Sequence, residues 1–398
     1  MEFPGGTPAM PKWSVVKDDS REKRRRARLP RHLPRLALLA CLALVVVSLG
    51  MVLKPGKPPE TPEPPLSERA RAAALADALH LKAAGEQLGA APADPAVPAT
   101  AAAALPAVTR TVSLLTTQAR ALLPGQEPAT GARATATPSG TSAAATPSAT
   151  PSASSAPPTV GRLAADLARS GRQRLADAAA VDGGMARLLA AVGTGQLLQS
   201  SSLAAAAGVP DPAAAQQDPG PAGANTAAAS CPAAPASPAA AGSGNGTGAA
   251  AGKADLPGAL AALIRTELET VYEYQVALTR LDGAAAKSAA EDLTRHEALV
   301  AGAESLSRRH CAPIPPREAG YALDPAFLAS PGPGLAALET AALPAYGDLV
   351  AFSDGDTRQW AITGLLGAAR RAAFWGATTD AVPGLAADPA SFPTLPAG

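Results

Sequence analysis

A chain of 398 residues has room for two or three domains, but 41 Pro, 36 Gly and only 3% aromatic residues leave little large apolar side-chain material for that many conventional cores. The formal net charge of +1 conceals eight Arg or Lys residues against one acid between Arg21 and Arg35, so the remainder is mildly acidic. Without a chain-wide basic balance, nucleic acid is not an expected partner.

The basic run, which includes Arg24, Arg25, Arg26, Arg28, Arg31 and Arg35, leads directly into Leu36–Leu53, eighteen residues without a charge, a proline or an amide side chain. As a helix that stretch is about 27 Å long, close to the hydrocarbon thickness of a bilayer. Positive charge on its N-terminal side predicts a cytoplasmic tail over 1–35, a transmembrane helix over 36–53 and everything after it outside the cytoplasm. The arginines then orient the helix and meet anionic headgroups. Ser48-Leu49-Gly50 also fits a signal-peptidase site, and Leu38-Leu39-Ala40-Cys41 fits a lipoprotein box. An uncleaved anchor is favoured, because a 35-residue head is long for a cleaved signal and the chain stays apolar after Cys41.

Lys54–Pro65 reads as a stiff Pro-rich stalk over 54–65. Residues 66–207 read as an Ala-rich helical region interrupted by a spacer at 124–158. Its first helix opens at Ser67-Glu68 and runs to about Gly89, with a predicted inner stripe of Ala72, Leu75, Leu79 and Ala83. Thr100–Leu123 predicts a second, with Leu105, Val108, Val112 and Leu115. Val160–Val181 and Met185–Ala207 complete the set, broken by Asp182-Gly183-Gly184. Four such helices would pack closely but bury little area, giving a loose bundle of modest stability. His80 stands alone and reads as a surface residue. Pro124–Pro158 and Gly208–Lys253 hold little besides Ala, Pro, Ser, Thr and Gly, and read as disordered spacers.

Three cysteines are present. Cys41 lies in the predicted membrane helix, whereas Cys231 and Cys311 would both be outside, where disulfides persist; they form a candidate pair tying the second spacer to the last domain.

From Ala254 the pattern sharpens into four helices over 254–385, followed by a tail at 386–398. Helix A (Pro257–Leu281) carries the seam Leu260, Ile264, Glu267, Val271, Tyr274, Leu278 and Leu281. Helix B (Ala285–His310) aligns Ala289, Leu293, His296, Val300, Ala303 and Leu306. Helix C (Leu335–Phe352) aligns Leu335, Glu339, Ala342, Tyr346 and Leu349, with a kink expected at Pro344. Helix D (Thr357–Thr378) turns Trp360, Ile362, Leu365, Ala369 and Ala372 inward, with Arg370, Arg371 and Trp375 nearby. Glu267, His296 and Glu339 therefore occupy inward positions on three helices, where an isolated charge is costly. Two readings follow: a metal or proton-transfer site within the bundle, or a polar network, with Arg371, that fixes helix register.

Several segments carry a family resemblance. They are Glu267-Leu-Glu-Thr-Val-Tyr-Glu-Tyr274, His296 with Arg308-Arg309 before Pro313 and Pro315, Leu338-Glu339, Ala345-Tyr346-Gly347-Asp348-Leu349, Arg371-Ala-Ala-Phe-Trp375 and Pro383-Gly384-Leu385. In this order, Ala254–Leu385 resembles a ferritin-like domain of uncharacterised function found in exported proteins of bacteria with GC-rich genomes. The resemblance implies an all-α chain with a C-terminal ferritin-like four-helix bundle. Metal-binding ferritin-like bundles use a Glu from each of two helices and Glu-x-x-His from each of the other two. Here Leu293 stands three residues before His296, and helix D has neither acid nor His between Gln359 and Thr378, so at most three of six ligands remain.

The reading is thus a membrane-anchored, extracytoplasmic, non-enzymatic binding or scaffolding module with no cofactor. Its partners would be the membrane and an envelope protein. The alternative is a redox or metal-handling protein using a single iron, manganese or zinc at Glu267, His296 and Glu339. Catalytic triads, phosphate loops and Cys-x-x-Cys knuckles are absent from the sequence.

Overall fold

The computed structural model describes residues 38–44, 63–90, 99–124, 159–214, 255–378, 380–385 and 387–396. The predicted tail, most of the stalk and the bulk of both spacers lie outside these residues. Residues 38–44 are helical and belong to a unit that ends at Glu63; the rest of the predicted membrane segment lies outside the described residues.

Residues from Pro64 onward form one compact unit. Its described helices are α1 (Leu66–Ala90), α2 (Ala99–Leu122), α3 (Val160–Ala180), α4 (Gly183–Ala207), α5 (Leu256–Leu278), α6 (Gly283–Arg309), the short α7 (Pro325–Ala329), α8 (Pro331–Phe352) and α9 (Gly355–Phe374). Helix starts follow local chemistry. The carboxylate of Asp182 accepts from Met185 N (3.2 Å) ahead of α4, and that of Asp255 accepts from Gly258 N (2.9 Å) ahead of α5, where Pro257 occupies the first turn. Gly208, at φ 65°, ends α4 in the left-handed conformation that glycine takes without strain.

The upstream helices are not a loose bundle of their own. One continuous apolar core joins Ala74, Leu115, Leu167 and Leu189 to Ile264, Leu306, Leu349 and Leu365. At its centre lies α4, packed against α3, α2, α8 and α9. Polar ties cross the same seam: Arg187 reaches Asp348 (2.5 Å) and the Gly384 carbonyl, Arg358 donates to the Val181 carbonyl (2.5 Å), and Gln118 donates to the Ala381 carbonyl (2.7 Å).

The buried face of α1 also differs from the expected stripe. Ala70, Ala74, Ala78, Leu81 and Gly85 are buried, while Ala72 and Ala83 face solvent, Leu79 is 40% exposed and Leu75 is half-buried. In an Ala-rich helix every face is similarly apolar, so the side allowing the closest approach wins. A Cβ on Gly85 would sit 2.8 Å from Val112 Cγ2. On α2, Val108 and Leu115 are buried as expected, but Leu105 is 45% exposed. Close approach also occurs between α3 and α4, where a Cβ on Gly193 would lie 2.7 Å from the Gly171 carbonyl oxygen.

In the C-terminal half, α5 packs between α6 and α8, and α8 between α5 and α9. Large side chains fill the space between α6 and α9: Trp360 lies over Gly302, and His310 Nε2 meets Thr357 Oγ1 at 2.8 Å. All four predicted helices form, within a few residues of their expected ends, and Pro344 lies inside α8 without ending it. Among the described helices, α8 is long and apolar enough to cross a membrane, yet it is packed into this core.

Candidate functional site

The seams of α5, α6 and α8 each deliver one ionisable side chain to the bundle interior, and Glu267, His296 and Glu339 are all fully buried. They meet. His296 Nδ1 lies 2.7 Å from Glu267 Oε2, and its Nε2 lies 2.8 Å from Glu339 Oε1. From α9, Arg371 Nε donates to the same Glu339 oxygen at 2.9 Å. Two tyrosines complete the layer: Tyr274 OH donates to Glu339 (2.8 Å) and Tyr346 OH donates to Glu267 (2.7 Å).

The arrangement is reciprocal. Tyr274 follows Glu267 by seven residues on α5, and Tyr346 follows Glu339 by seven on α8. Seven residues are two helical turns, about 10.5 Å, so each pair shares a face. Each tyrosine serves the carboxylate of the other helix, which requires α5 and α8 to run antiparallel. Gly364 on α9 makes room for this, since a Cβ there would come 2.2 Å from the Tyr346 ring.

Charge explains why the layer is tolerated. Burial alone would lower the pKa of His296, but Glu267 and Glu339 outweigh it and raise it to about 9. Burial alone would raise that of Glu339, but Arg371 and His296 pull it down to about 2. Burial, reinforced by the neighbouring carboxylates, pushes both tyrosine hydroxyls well above their ordinary value, so they stay protonated donors. Two carboxylates thus face one imidazolium and one guanidinium, and the layer is neutral.

Next to it stands a group that the seam pattern did not indicate. Asp292, buried on α6, accepts from Arg295 (2.5 Å) and from Trp375 Nε1 (3.1 Å), and Trp375 in turn lies edge-on to Tyr274. Its helical position relative to His296, one turn earlier, was the available signal.

The donor set does not fit a dinuclear centre. The fourth helix presents a guanidinium where ligands would stand, and the two carboxylates lie on opposite nitrogens of one imidazole instead of converging on a common point. Among the described residues no group of three or more His, Cys, Asp or Glu side chains is disposed to hold a metal ion. His80 is exposed, as expected. Cys311 is disulfide-bonded, while Cys231 lies outside the described residues.

Comparison with known proteins adds one match. Residues 259–387 match the family model described as "Domain of unknown function (DUF4439)". The matched stretch contains the whole charged layer together with Asp292 and Trp375. No curated protein and no solved structure matches the chain.

Proposed function

We propose that 255–385 is a ferritin-like bundle in which a salt-bridged layer takes the place of metal, and that the chain is a non-enzymatic, membrane-anchored binding or scaffolding module outside the cytoplasm. The observation that carries this reading is Arg371. It brings a fixed buried cation, from the helix that would otherwise supply ligands, onto Glu339. With the imidazolium of His296 it neutralises both carboxylates, which removes the electrostatic demand for a divalent ion. The anchoring half of the reading is supported by the arginine-rich run ahead of Leu36–Leu53.

Elemental analysis of the full-length chain, purified in mild detergent, tests the first half. The expected content is fewer than about one transition-metal ion per ten chains. Stoichiometric iron, manganese or zinc, lost on Glu267→Gln, would establish the metal-handling alternative at Glu267, His296 and Glu339. A topology reporter inserted after Pro65 tests the second half, with activity expected only outside the cytoplasm.

A further inference from the structure

A cleft of about 1010 Å³ lies away from the charged layer, where α2 and α4 meet the end of α9 and the segment that follows it. Its volume is at the upper end of small-ligand sites. Its walls carry several hydroxyls: Ser113 and Thr117 from α2, Ser201 and Ser202 from α4. Thr117 and Ser201 donate to carbonyls of their own helices, leaving oxygen lone pairs for a ligand's hydroxyl donors.

One aromatic ring stands at the edge. Phe374 is 64% exposed, although the chain has only five phenylalanines and a core short of large side chains. It packs edge-on against Trp375 (5.2 Å, 81°), so the ring is held in place while its face stays open. Charges in the cleft are balanced, with Arg110 and Arg370 against Asp211 and Asp380, and Arg370 is already engaged with the Ala213 carbonyl (2.7 Å). A polyanion finds no net positive field there, and a purely apolar ligand would strand the hydroxyls.

We propose that this cleft binds a neutral oligosaccharide, with the C–H face of a pyranose ring on Phe374 and ring hydroxyls on the Ser and Thr walls. The assignment does not depend on the metal-free reading of the charged layer, because the two have separate readouts.

Isothermal titration of the full-length chain in detergent with cellotetraose and with a β-1,4-linked N-acetylglucosamine tetramer tests it. At least one should bind with a dissociation constant of about 1 mM or below. Phe374→Ala should weaken that binding by about tenfold or more, and Phe374→Tyr should restore it. The side chain is exposed, so both variants should fold, and unchanged circular dichroism checks that they do. No heat from either tetramer at about 10 mM would overturn the proposal, as would saccharide binding indifferent to Phe374→Ala. Binding of polyphosphate instead of the tetramers would overturn it too.

Discussion

In the upstream half, α4 carries Thr194, Gln196, Gln199 and Ser200 into the core without a charge among them, whereas the C-terminal half buries Glu267, His296, Glu339 and Arg371 together. Three of the upstream groups make neutral bonds, several to helix backbones: Gln199 to the Ala107 carbonyl and Thr111 Oγ1, Ser200 to the Ala164 carbonyl, and Gln196 through its amide nitrogen to Gln118, while Thr194 Oγ1 is buried without a partner among the described residues. Small residues bring those helices close enough for short polar side chains to reach a neighbouring backbone. In the C-terminal half, tyrosine hydroxyls and longer charged side chains of different helices bond to one another instead. The two halves thus bury different polar chemistry.

Breaking the charged layer should have the largest effect. His296→Ala leaves two buried carboxylates with one cation and should cost about 3–5 kcal/mol in chemical denaturation. Replacing His296, Glu267, Glu339 and Arg371 together with apolar residues of similar volume should cost much less. Equal losses would mean that the charges do not act as one unit.

Close packing of α3 on α4 is tested by Gly193→Ala. Its Cβ would meet the Gly171 carbonyl, so α3 and α4 must separate, at about 1–3 kcal/mol. An unchanged denaturation midpoint would show that the close approach is not required.

A smaller effect is expected at Glu273. This half-buried carboxyl is pushed up to about 7 by burial and by nearby Glu269 and Asp324. A carboxyl whose pKa is raised on folding costs stability as pH climbs from its ordinary value through 7. Glu273→Gln should therefore stabilise the protein at pH 8, by under about 1 kcal/mol because the group is partly solvated, and have little effect at pH 4. Equal gains at both pH values would contradict the charge origin.

The smallest effect tests the face of α1. Leu79→Gln on the exposed side should stay within about 0.5 kcal/mol, whereas Ala78→Gln on the buried side should destabilise measurably more.

The same contrast accounts for what the sequence made legible. In the C-terminal helices the seams are marked by Leu, Ile and Tyr against charged neighbours, so three of the charged-layer positions could be placed from spacing alone. The tyrosines were visible as seam members, but their role was not, because each serves a carboxylate on another helix. The seven-residue Glu-to-Tyr spacing on both α5 and α8 was the overlooked clue. Asp292 escaped because its partner Trp375 lies just past the end of α9, far away in sequence. In α1 periodicity misled, because alanine on every side removes the contrast on which the pattern depends. The continuity of the core across the long 208–253 segment left no local trace, since α4 shows no polar face to distinguish a central helix from a surface one.

In the charged layer, His296 is a buried cation that locks two carboxylates. Its raised pKa predicts that its contribution to stability is complete below the ordinary histidine value of 6.5 and is lost as pH rises through about 9. With four histidines in the chain, ¹⁵N resonances of the His296 ring can be assigned by substituting the other three. Both ring nitrogens should carry protons from pH 6 to pH 8. A neutral ring at pH 7, with one nitrogen unprotonated, would contradict this charge state.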